Sequence, residues 1–132
     1  MELIEAIVDL CDTASEAAPL RALLTGGLAA DSDWDNRIRP YGIVTESTFD
    51  VEVRGHNQSY EVDTQTIQFQ IFTDTRAECV AILDALEAAY MPTTLTTTGR
   101  ECLGPPTIDD RLIQNLTDCY RGILNLAYML QK

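Results

Sequence analysis

One lysine, one histidine and one tryptophan are all that the 132 residues contain of these three types. Positive charge is scarce throughout: 9 Lys and Arg stand against 21 Asp and Glu, for a formal net charge of −12. Holding a nucleic-acid backbone takes clustered cations that neutralise phosphates, and none are clustered here. Stable nucleic-acid binding is therefore not expected, whereas an acidic surface would repel a passing strand. Long apolar runs are also missing. No window approaches the roughly 20 apolar residues that a membrane helix needs, so no membrane partner is expected. The start, Met1-Glu2-Leu3 with Glu5 close behind, lacks the early positive charge and small-residue cleavage site of a signal peptide.

The chemistry-bearing motifs are missing in the same way. Cys11, Cys79, Cys102 and Cys119 lie too far apart for a CxxC redox or zinc element. They read as buried small apolar residues in a reducing compartment. Asp31, Asp33 and Asp35 alternate as in a calcium loop, but such a loop wants glycine sixth and glutamate twelfth. Asn36 and Gly42 stand there instead, which leaves a solvated acidic loop. The lone His56 has no GxSxG elbow or oriented carboxylate to work with. Gly26-Gly27 belongs to no GxGxxG or GxxxxGK phosphate cradle and reads as a helix stop. Among 21 carboxylates, close pairs arise by chance, so spacing alone assigns no acid–base couple. No catalytic residue, metal or cofactor is expected, and the chain is not expected to be an enzyme.

What is present is a core. Apolar residues make up 45% of the chain, enough for one packed domain over residues 1–132 and too little length for two. Leu3, Ile4, Ile7, Val8 and Cys11 recur at helical spacing and predict a helix over 2–12, with a helical turn at 19–25 closed by the two glycines. Residues 26–39 read as loop. A strand is expected through Ile43 and Val44, followed by the alternation Phe49, Val51, Val53. The clearest strand runs through Ile67, Phe69 and Ile71, so the two alternating stretches form a long antiparallel hairpin with a polar tip at Gly55–Ser59. Thr75 followed by Glu78 resembles a capping box opening a helix over 74–91, with Val80, Leu83, Leu86 and Tyr90 as its stripe and Pro92 as its stop. The threonine run Thr93–Thr98 favours strand. Residues 110–130 fit helix and strand periodicities equally well. Gly122 among β-formers, and a sheet in need of an apolar closing strand, favour strand for 119–130.

The order of these elements resembles a known family. A short helix (Leu3, Ile4, Ile7, Val8) leads to Gly26-Gly27, then to Arg37-Ile38-Arg39-Pro40-Tyr41 and a strand. The hairpin returns through Thr66–Thr73 into Asp74-Thr75-Arg76-Ala77-Glu78 and an alanine-rich helix, and the chain closes on Tyr120–Tyr128. This resembles the tail-completion, or tail-terminator, proteins that join head to tail in long-tailed bacteriophages and prophages. The resemblance implies an α+β fold: an antiparallel sheet of about four strands with two main helices on one face. It implies a homo-oligomeric ring, typically a hexamer, that caps the tail tube and meets the head connector. Its place would be the virion neck, after assembly in the host cytoplasm. The family has no catalytic residues to carry over. DNA would pass such a ring without specific binding, helped by an acidic inner surface.

Within that reading the hairpin arm is the candidate interface between copies, formed by Arg54, His56, Asn57, Gln58 and Tyr60. A small binding domain for a host protein or ligand is the rival, and it would need a well-formed apolar pocket. An unrecognised enzyme comes third. Deleting residues 56–58 should leave monomer folding intact and weaken self-assembly, measured by thermal denaturation and light scattering on the same sample. Normal assembly by that variant would remove the arm from the mechanism.

Overall fold

A computed structural model describes residues 2–30, 38–54 and 61–131, with side chains described except at 47–54 and at 61. The first helix, α1, spans Leu3–Thr13 and buries Leu3, Ala6, Ile7, Leu10 and Cys11. The stripe is rotated slightly from the expected one: Ile4 and Val8 only flank the core, and Ala6 and Leu10 enter it. A 3₁₀ turn at Ser15–Ala17 runs into α2, Ala18–Leu23, with Pro19 in its first turn. Proline suits that place because first-turn N–H groups have no helical partner. Arg21 turns back and donates from Nη1 to the carbonyls of Cys11 (2.8 Å) and Ala14 (2.7 Å) at the end of α1. It thereby satisfies acceptors that a helix C-terminus leaves open.

Gly26 and Gly27 end this helical segment as expected. Gly27 has φ 83°, a conformation that favours glycine. A Cβ on Gly26 would lie 2.0 Å from the Ile38 carbonyl oxygen, so only glycine admits the strand that follows so closely. That strand is β1, Leu28–Ala30, which lies inside the stretch expected to be loop. It pairs parallel with the long strand β2, Tyr41–Arg54. A three-residue strand is too short to show alternation, so no sequence period marks it.

The hairpin is the longest pairing. β2 runs antiparallel to β3, Glu61–Thr73, from Tyr41 opposite Phe72 to Arg54 opposite Glu61. The two apolar stretches expected around Val44 and Val51 are one strand, with register shifts between Glu46 and Thr48 and between Val51 and Val53. β3 alternates as expected: Ile67, Phe69 and Ile71 are fully buried, and the residues between them are half-buried.

Helix α3 spans Arg76–Tyr90. Thr75 caps it, its hydroxyl accepting from the Glu78 N–H (3.2 Å) and donating to Glu78 Oε1 (3.0 Å). Its buried face is Cys79, Ile82, Leu83, Leu86, Ala89 and Tyr90, with Val80 to one side. This face packs on β3 and on β6, Tyr120–Gln131, which confirms strand for the closing segment. Gly122 marks the closest approach: a Cβ there would meet the Cys79 sulfur at 2.5 Å and Leu83 Cδ1 at 3.1 Å.

Between α3 and β6 the sequence expectations fail. Thr93–Thr98 forms no strand. Its hydroxyls bond locally instead, Thr93 Oγ1 to the Ala89 carbonyl (2.8 Å) and Thr97 Oγ1 to the Arg100 carbonyl. Such local bonds compete with a ladder. Two further strands line the outer side of β6. β4 is Glu101–Cys102 and β5 is Thr107–Asn115. Gly104-Pro105-Pro106 separates them, because prolines cannot donate to the ladder. Among the described residues six strands and three α-helices therefore replace the expected four and two. The antiparallel character holds everywhere except at β1, and the helices pack on one face as expected.

Cys11, Cys79 and Cys102 are buried free thiols, and Cys119 is half-exposed. Burial pushes the Cys11 thiol up to about 11 and raises Cys79 as well, so both stay neutral and apolar in character. Phe69 sits at the centre of the core with no exposure. Phe69→Ala should cost on the order of 3–5 kcal/mol, read from the midpoint and slope of denaturant unfolding. An unchanged midpoint would refute the facing of β3.

Candidate assembly surfaces

The residues that alternate with the core positions form the second face of the sheet, and no described element covers it. Its rows follow from the register. Tyr41, Phe72, Arg121 and Gln114 make one row, Ile43, Gln70, Ile123 and Leu112 the next, and Thr45, Gln68, Asn125 and Asp110 a third. Tyr41 stacks on Phe72 with ring centroids 5.0 Å apart. Arg121 donates from Nε to Gln114 Oε1 (2.9 Å), and Gln70 donates to Gln68 (3.1 Å). The face is therefore built of amides, hydroxyls and a few apolar side chains. Among its described side chains Asp110, Arg121 and, beside Gln131, Glu101 carry charge.

The acidity lies elsewhere. Glu2, Glu5, Asp9, Asp12 and Glu16 are exposed on the helical layer, and so are Asp74 and Asp84 at the start and middle of the α3 region. Three of the scarce arginines are paired with acids. Arg111 reaches from β5 to Asp84 (2.8 Å) and to Glu87 on α3. Arg39 holds Asp74 (3.0 Å) and donates to the Asp118 carbonyl (3.1 Å), tying the entry of β2 to both neighbouring turns. Arg100 contacts Asp63, whose side chain is completely buried. Exposed pairs of the first two kinds stabilise little, but a buried carboxylate depends on its partner.

The clefts include one of about 440 Å³ between Ile38, Arg39, Tyr41, Asp74 and Cys119. One of about 340 Å³ is lined by Glu2, Glu46, Gln65 and Thr97–Arg100. Another of about 220 Å³ is lined by Leu103, Pro105 and Met129 beside the break between β4 and β5. Among the described residues no group of His, Cys, Asp and Glu is arranged to hold a metal ion. No described helix is long and apolar enough to cross a membrane.

Of the five interface residues expected from the sequence, Arg54 ends β2 opposite Glu61, with its side chain outside the described set. His56, Asn57, Gln58 and Tyr60 lie outside the described residues, as do Asp31, Asp33, Asp35 and Asn36. What sequence reasoning missed is the sheet's outer margin. Among the described residues β5 pairs on one side only, and β2 is paired by β1 only from Gly42 to Val44. No clean alternation marks β5 in the sequence, because the register shift between Ile108 and Asp110 inserts Asp109 and moves Ile108 to the other face from Leu112.

These features define a helix-backed α+β sheet protein whose second sheet face is covered by no described helix. No protein-family model matches the chain, and no curated protein matches it. Among solved structures, it is similar to a chain of the virion of a native gene transfer agent particle, with TM-score 0.76 at 16% identity. The match covers 99% of this chain and 96% of that one, so the two share a fold over their whole lengths.

Arg100→Ala should cost about 3 kcal/mol by leaving the Asp63 carboxylate buried and unpaired. Replacing both partners (Asp63→Leu with Arg100→Met) should cost less than that single change. Equal stability of Arg100→Ala and the parent in urea titrations would show that the pair does not hold the Thr97–Cys102 crossing in place.

Proposed function

We propose that this chain is a structural protein of a phage or phage-like particle, forming a ring in the neck that caps the tail tube and joins it to the head connector. The observation that carries the reading is the fold shared end to end with a chain of a gene transfer agent virion. The order of elements in the sequence supports the narrower assignment to a tail terminator. A ring of copies uses heterologous contacts, in which one patch meets a different patch on the neighbour, and closure by rotation ends growth. The sheet face that no described helix covers and the unlike margins at β2 and β5 suit that arrangement. The role is non-enzymatic, and the hexamer is the ring size that the resemblance implies.

DNA passing such a ring would bind weakly at most. The net charge of −12 is the main reason, and a sheet face of amides and hydroxyls adds no phosphate-binding cluster. The partners are other copies of the chain, the tail-tube protein and the head-connector protein.

Sizing with light scattering and negative-stain microscopy tests the reading. The purified chain, alone or mixed with tail-tube protein, should give closed rings. A chain that stays monomeric at high concentration in both samples would count decisively against it.

A further inference from the structure

We infer that copies of this chain join by antiparallel strand pairing, the outer edge of β5 in one copy adding to the edge of β2 beyond β1 in the next, where no described strand pairs. This rests on the ring reading above and says how the ring is held. The main sheet runs β2, β3, β6, β5, and every one of these neighbours is antiparallel. Strand directions therefore alternate across the copy, and the two outer strands point opposite ways. Rotation about an axis along the strands brings the β5 edge of one copy beside the β2 edge of the next. The two meet antiparallel, so the alternation continues across the junction without a break.

The lengths match as well. β5 has nine residues, Thr107–Asn115. On β2, β1 occupies only Gly42–Val44, and no described strand pairs with that side from Thr45 to Arg54. Unpaired edges of this length are a template for joining another chain. β5 is partly guarded: the bulge between Ile108 and Asp110, with acids at Asp109 and Asp110, disrupts its first residues. Its clean stretch is Arg111–Asn115, where Leu112 and Ile113 are half-buried. A two-fold pair of β5 strands would cover that edge and leave β2 open. Only the head-to-tail pairing removes both edges at once.

Hydrogen exchange at single-residue resolution, comparing dilute monomer with the assembled form, tests this directly. In the monomer, every second amide of Arg111–Asn115 points away from β6 and exchanges fast. In the assembly those amides, and alternate ones from Thr45 to Arg54, should slow about tenfold or more. Protection on β5 without β2 means a two-fold pair and overturns the inference. An assembled ring with neither edge protected overturns it too, while leaving the ring reading intact. Failure to assemble with or without tail-tube protein overturns both.

Discussion

The contact between α3 and the β3–β6 face is the constraint on which the rest of the molecule depends. Phe69 and Tyr90 meet there with ring centroids 5.1 Å apart, both fully buried. The Tyr90 hydroxyl donates to the Ile7 carbonyl (2.5 Å), so the same residue ties α1 to the helix that covers the sheet. Burial raises the Tyr90 phenol far above its ordinary range and keeps it a neutral donor. A period of two in the strands and a period of 3.6 in the helix thus meet along one apolar seam. Gly122 lets α3 settle against β6, and Leu124 and Leu126 on the same face of the strand complete the layer.

Putting the apolar seam on one side decides what remains on the other. The three described helices lie on the core face, so no described helix covers the opposite face of the sheet, and the acids of α1 and the α3 region are carried away from it. An expected acidic inner surface would therefore draw little on the sheet face, whose described charges are Glu101, Asp110 and Arg121. If the ring is as proposed, the carboxylates stand on the helical layer. The neutral amide and hydroxyl rows offer neither a cation cluster for phosphate nor a strong repulsive field.

Legibility followed periodicity. The alternation at Ile67, Phe69 and Ile71, the capped stripe of α3 and the glycine stop after α2 were all readable, because each is a run long enough to show its period or a cap with its own chemistry. β1 was unreadable at three residues. β5 was hidden by its bulge and by Arg111, which turns inward to meet α3 acids where an apolar residue would have marked the face. The Thr93–Thr98 run misled because strand preference in threonine reflects packing on a pleated neighbour, and none is offered to it here. The hairpin arm was proposed from polarity alone, and four of its five residues fall outside the described set.

From the amino acids alone came the acidity, the want of catalytic motifs, the hairpin, the capped helix and the apolar faces that each must bury. These are local properties, set by side-chain chemistry and by spacing along the chain. Tertiary structure decided which face no described helix covers, where the carboxylates gather, and that β5 borders the sheet on the side opposite β2. No local pattern contains these, because each arises only when segments distant in the chain pack together.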